Sequence, residues 1–211
     1  MTRARSADAG GPDPLVLTSC GWIRGVPQPP GVLGFLGIPY AEPPTGERRF
    51  RAPEPVKPWW GIRDAGQFGP AAAQVFDPHE ARLEEIEDRP PATPAPAWVG
   101  SEDCLTLNVW TPAADGARRP VIVFLHGGAN WLESSRLRVY HGESFVRRGD
   151  VVFCSVNYRL GVFGFLDLSD AGLEGCHSNG LRDQLLALEW IHANVAAFGG
   201  DPDNITVMGE S

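Results

Sequence analysis

Lysine is almost missing from this chain: Lys57 stands alone among 211 residues, and the remaining positive charge is arginine. Asp plus Glu number 26 against 18 Lys plus Arg, so the formal net charge is −8. No basic run exceeds short pairs such as Arg147-Arg148, which argues against a nucleic-acid partner, since that would need a positive stripe. No apolar stretch approaches the roughly 20 residues that a membrane helix requires, so no membrane partner is expected. Residues 1–14 carry two arginines but no apolar core, so no secretory signal is visible and a cytoplasmic location is the expectation. The four cysteines, Cys20, Cys104, Cys154 and Cys176, form no C-x-x-C pair, which leaves zinc and redox readings without a ligand set. Thiols are the expected state outside an oxidising compartment. Neither a cofactor nor a metal is called for, and no internal repeat is found.

What is present is ordinary for a globular domain: 43% hydrophobic and 21% charged residues, enough for one sizeable core. A flexible tail is expected over 1–14 and a single domain over 15–211. Leu15 to Leu17, Trp22 to Val26 and Val32 to Tyr40 read as short antiparallel strands broken by Gly and Pro. From Ala41 to Pro70 the spacing of Pro, Gly and Trp predicts an extended segment. Glu80 to Arg89 reads as a short helix, and Arg89 to Pro96 as an exposed polyproline loop, not a domain linker. Leu105 to Trp110 alternates and predicts a half-buried strand. Val121 to Leu125 and Val151 to Val156 are continuous and β-branched, as in parallel strands covered on both faces. Leu181 to Phe198 predicts a helix with a stripe of Leu181, Leu185, Leu188 and Ile191, ended by Gly199-Gly200. Asp201-Pro202-Asp203 then turns into the Ile205 strand, and strand, helix, strand is the rhythm of an α/β sheet.

Two short stretches carry chemistry. Gly209-Glu210-Ser211, directly after the apolar run Ile205 to Met208, is the front half of a nucleophile elbow, a sharp turn that lifts a serine Oγ clear of a sheet. About eighty residues earlier, His126-Gly127-Gly128-Ala129-Asn130 follows a buried strand. Acyl transfer from an ester needs a nucleophile, a base and donors for the oxyanion of the tetrahedral intermediate. Glycines let successive N–H groups bend toward one point, so Gly128 and Ala129 are the candidate donors, with Gly127 and Glu210 supporting. The competing reading of the two glycines is a plain tight strand exit. His126 is a candidate base, but its place at the strand end beside the donors favours a loop-fixing role.

Together with Gly37 to Pro44, Arg49 to Pro53, Ser101 to Val109, Asn157 to Gly161 and Phe198 to Pro202, these stretches resemble the type-B carboxylesterases and cholinesterases of the α/β-hydrolase fold. The resemblance runs from Cys20 onward. It implies the N-terminal part of an α/β-hydrolase fold, a mostly parallel sheet preceded by short antiparallel strands and cut at the elbow. It also implies a serine esterase working through an acyl enzyme on a small-molecule carboxylic ester, with Ser211 as nucleophile and Gly128 and Ala129 as oxyanion donors. Glu210 matches the acidic residue that precedes the family's serine, and Arg49 with Glu102 and Arg159 with Asp183 match its buried ion pairs. Trp131, just after the donor loop, is the favoured aromatic for an acyl pocket.

Three departures follow. The donor loop reads Gly-Gly-Ala-Asn where members show three glycines and an aromatic. Ala71, Ala72 and Ala73 stand where secreted members place the disulfide partner of the residue matching Cys104. The acid and histidine of the family's triad fall downstream of residue 211, so residues 1–211 by themselves are expected to be inactive and marginally stable. A non-catalytic binding module of the cholinesterase-like kind, or an inactive truncated gene product, are the alternatives; the retained serine speaks against the first. A bacterial-type esterase of broad specificity is the nearer analogue than a cholinesterase.

Overall fold

The computed structural model describes residues 14–28, 30–76, 97–173 and 176–211. The expected helix at Glu80 to Arg89, the proline run after it, His79 and nearly all of the N-terminal tail lie outside the described residues. In chain order the strands begin with β1 (Leu15–Thr18), β2 (Gly21–Arg24), β3 (Val26–Gln28), β4 (Val32–Pro39) and β5 (Ile62–Asp64). They continue with β6 (Gln74–Phe76), β7 (Ala97–Val99), β8 (Thr106–Thr111), β9 (Arg119–Leu125), β10 (Val152–Val156) and β11 (Gly200–Gly209). Among the described residues three α-helices join them: α1 (Glu143–Gly149), α2 (Gly161–Phe165) and α3 (Asn179–Asn194).

The main sheet has six strands in the order β11-β9-β10-β8-β4-β3. β9 runs parallel to both β10 and β11, while β3, β4 and β8 form the antiparallel flank that precedes them in sequence. Strand side chains alternate between faces, and here each face meets its own core. Val121, Val123, Val152, Cys154 and Val156 pack with Leu107, Val109, Phe35, Ile191 and Phe198 on one side. Phe124, Phe153 and Trp110 pack with Val32, Tyr140 and Val146 on the other. The continuous β-branched runs are therefore strands covered on both faces, as their composition predicts.

β8 departs from the half-buried reading: all six of its residues are buried. The polar letters in its alternation are satisfied internally. Asn108 accepts the Gly37 N–H at 2.9 Å and donates to the hydroxyls of Ser135 and Ser155 at 3.0 Å each. A buried amide with its bonds filled carries little penalty, so polarity alone misplaced the face.

α3 also differs in its buried face. Leu181 and Leu185 are exposed, while Asp183, Ala187, Trp190, Ile191 and Asn194 turn inward. The cause is Asp183, fully buried against Arg159. Its two oxygens accept from Arg159 Nε at 2.8 Å and Nη2 at 2.6 Å, and one also takes the Arg159 backbone N–H at 3.0 Å. Arg159 spends a further N–H on the Arg51 carbonyl at 2.8 Å. The second expected buried pair is not buried: Arg49 and Glu102 meet at 2.5 and 2.7 Å, but the arginine side chain stays 44% exposed. All four cysteines are buried free thiols. Cys104 shares a small cavity with Ala72 and Ala73. Among the described residues no helix is long and apolar enough to cross a membrane.

Candidate active site

Parallel pairing puts the carboxyl ends of β9 and β11 side by side, the end of an α/β sheet where ligands bind. Leu125 of β9 stands opposite Gly209 of β11, and the Glu210 N–H reaches the Leu125 carbonyl at 3.4 Å. The chain beyond β9 is the glycine loop, and the chain beyond β11 is Glu210-Ser211. Two segments eighty residues apart in sequence thus leave the sheet at neighbouring points. Their contact is tight: a Cβ placed on Gly127 would fall 1.8 Å from Glu210 Oε2. Only glycine at 127 allows that carboxylate its position. Ser211 is exposed and has φ of 37°, a conformation that serine rarely adopts.

The loop itself is bent by four left-handed residues: Gly128 (φ 88°), Ala129 (54°), Asn130 (59°) and Glu133 (74°). Three of them are not glycine, and each such residue costs on the order of 1 kcal/mol or more unless its surroundings hold it. They are held. The Gly128 carbonyl accepts the N–H groups of Trp131 at 2.9 Å and Leu132 at 3.0 Å, and the Asn130 carbonyl accepts from Gly161 at 2.8 Å. Buried Gln74 of β6 grips Glu133 twice, accepting its N–H at 2.8 Å and donating to its carbonyl at 3.0 Å. A Cβ on Gly128 would lie 2.3 Å from the Leu132 carbonyl, so this turn requires glycine. The N–H groups of Gly128 and Ala129, by contrast, find no acceptor among the described residues.

His126 is buried beneath the loop. Its Nδ1 lies 3.0 Å from the Gly127 carbonyl, its ring stacks on Tyr158 at 4.5 Å, and its Nε2 has no partner among the described residues. Burial pushes its pKa down to about 4, against the smaller upward pull of the Gly127 contact. The ring is therefore neutral near pH 7, and its Nδ1–H donates to Gly127. It fixes the loop, as its place in the sequence implies. The Tyr158 hydroxyl donates to the His126 carbonyl at 2.7 Å. Burial first, then the charges of Glu133 and Glu210, raise the Tyr158 pKa to about 12.

Sequence reasoning missed three participants: Gln74, Glu133 and Tyr140. The Tyr140 hydroxyl lies 2.6 Å from Glu133 Oε2 and 3.2 Å from Glu210 Oε2. Burial and the bond to Glu133 raise the Tyr140 pKa well above its ordinary value. No local pattern announces these contacts, because they join positions 7 to 70 residues apart. Trp131 does lie beside the loop, half-exposed, where it lines an open cleft with Ala129, Asn130, Gly161, Val162, Phe165 and Leu166.

A glycine loop and a Gly-x-Ser segment at adjoining carboxyl ends of parallel strands fit the α/β-hydrolase class. Residues 12–211 match the Carboxylesterase family, and the chain belongs to it. It is 45% identical over 198 residues to phenmedipham hydrolase of Pseudarthrobacter oxydans, covering 94% of this chain and 37% of that protein. It is 40% identical over 197 residues to para-nitrobenzyl esterase of Bacillus subtilis, covering 93% and 38%. Among solved structures, the Geobacillus stearothermophilus carboxylesterase EST55 superposes with a TM-score of 0.79 at 46% identity, over 93% of this chain and 37% of that one. The chain thus spans a little over a third of the length of these relatives.

Proposed function

We propose that residues 15–211 are the first part of a serine carboxylic-ester hydrolase domain and carry its nucleophile and two of its oxyanion donors. Ser211 Oγ attacks the carbonyl carbon of a small-molecule ester as its proton passes to a base. The carbonyl oxygen, now negative, is held by the N–H groups of Gly128 and Ala129, the alcohol leaves, and water releases the acid from the acyl enzyme. The observation that carries this reading is the pair of amides without acceptors among the described residues, on a strained, well-held loop that leaves the sheet beside the strand leading to Ser211. Gly128 is half-buried and Ala129 exposed, so both amides are accessible to an oxygen of a bound ester, which is what an oxyanion donor requires. Relatives named as a hydrolase and an esterase support the same reaction class. The Trp131 cleft is the proposed apolar side of the substrate site.

His126 does not serve as the base, because it is buried, stacked and tied to the loop. The resemblance to the family implies that the base is a triad histidine matching a position after residue 211. Residues 1–211 alone should therefore leave p-nitrophenyl acetate unhydrolysed. The full-length product should hydrolyse it and take up a fluorophosphonate on Ser211, both lost in Ser211→Ala. Hydrolysis that survives Ser211→Ala would contradict the assignment.

A further inference from the structure

Glu133 is a carboxylate in a costly backbone conformation, gripped on both backbone atoms by buried Gln74, with its side chain directed at Tyr140. Tyr140 also faces Glu210, the residue next to the nucleophile. A phenol has one hydrogen to give, and two carboxylates stand around this one. The distances, 2.6 Å to Glu133 and 3.2 Å to Glu210, show which of them takes it.

We propose that Glu133 is a positioning residue: by taking the Tyr140 hydroxyl hydrogen it leaves the Glu210 carboxylate open to a donor from the reacting side of Ser211. The inference rests on Ser211 being the nucleophile. The Glu210 carboxylate lies close over Gly127, where a Cβ would displace it, so its approach to the glycine loop does not depend on the bond from Tyr140. The donor it awaits is the positive group formed when Ser211 gives up its proton, or a donor on the substrate. The other groups that face Glu210 are accounted for. His126 is neutral and committed to Gly127, Tyr158 commits its hydroxyl to the His126 carbonyl, and Glu133 supplies a second negative charge.

The sign of the effect follows from hydrogen-bond competition. Glu133→Gln weakens the competing acceptor, so Tyr140 donates more fully to Glu210 and favours its charged form. Removal of the Glu133 charge favours that form as well, by Coulomb's law, whether or not the hydroxyl is present. A double-mutant cycle with Tyr140→Phe separates the two, because the Coulomb part is common to both backgrounds and cancels.

The test uses full-length protein labelled with 13C at the glutamate carboxyl carbon, with the Glu210 signal assigned by its loss in Glu210→Gln. The Glu210 titration midpoint should fall on Glu133→Gln, and should fall further by about half a pH unit when Tyr140 is intact than when it is Tyr140→Phe. The acid limb of kcat/KM for p-nitrophenyl acetate should move the same way. Equal shifts in the two backgrounds, or no shift, would overturn the proposal. Glu133→Gly relieves the left-handed backbone and removes the acceptor, so it should reproduce the Glu133→Gln titration shift without loss of thermal stability. A wild-type midpoint in that variant would equally overturn it. The titration needs no turnover, so a failure of the esterase reading, seen as hydrolysis indifferent to Ser211→Ala, is distinguishable from a failure of this one.

Discussion

Two polar clusters in this molecule solve opposite problems. Around Arg159 and Asp183 the charges are fully buried and bonded: three hydrogen bonds join the pair, and a fourth ties the guanidinium to the Arg51 carbonyl. Beyond the carboxyl end of β9 four residues are left-handed, and the Gly128 and Ala129 amides have no acceptor among the described residues. The first cluster is buried and turned inward, and acts as scaffold. The second has donors to spare, held still by Gln74, Gly161 and Tyr158. Preorganised, unpaired donors next to an exposed hydroxyl are what acyl transfer demands.

That contrast can be broken from either side. The largest expected effect falls on the scaffold. Asp183→Ala leaves the Arg159 charge buried and unpaired and should cost about 3–5 kcal/mol, read from denaturant unfolding of the full-length protein. A loss below 1 kcal/mol would mean that the pair does not hold the fold. Next comes the loop. Gly128→Ala forces a Cβ against the Leu132 carbonyl and swings both donor amides, so the rate of Ser211 acylation should fall on the order of 10²–10³-fold. The unfolding midpoint should move far less than in Asp183→Ala. If the stability effects were reversed, scaffold and site would have been confused.

His126 connects the two behaviours through pH. The unfolded chain takes up a proton near pH 6.5, whereas the folded chain resists it until about pH 4. The unfolded state therefore binds more protons in that window, and stability declines as pH drops through it, by roughly 3 kcal/mol in all. Above pH 6.5 this contribution is fully retained. The decline should be visible in unfolding free energies measured between pH 7 and 4, and His126→Gln should flatten that part of the curve. The smallest effect belongs to Arg49→Ala. The pair with Glu102 has good geometry but lies largely in solvent, so the melting temperature should hardly change. A drop comparable to that of Asp183→Ala would restore it to the buried class.

The legible parts of the sequence were those set by local chemistry. Val121 to Leu125 and Val151 to Val156 announce covered strands by composition alone. The His-Gly-Gly loop announces a turn by residue type. The errors over which polar residues are buried come from bonds between residues distant along the chain. Asn108 looks like a solvent-facing letter until Gly37, Ser135 and Ser155 fill its bonds. The Leu181 and Leu185 stripe looks like the buried side of α3, although the buried Arg159–Asp183 pair that the family resemblance implied turns the other face inward. Glu133 looks like a loop surface charge until Gln74 and Tyr140 fix it. A polar residue declares its partner only in three dimensions, whereas an apolar run declares its burial in one.

The central claim is that the Gly128 and Ala129 amides and the Ser211 hydroxyl serve one tetrahedral centre. A crystal structure of the full-length protein after reaction with a fluorophosphonate tests it directly. The predicted adduct has phosphorus bonded to Ser211 Oγ and its phosphoryl oxygen about 2.7–3.1 Å from both amide nitrogens. A phosphoryl oxygen turned away from those two amides, or a Ser211 left unmodified while the protein is inhibited, would contradict the account.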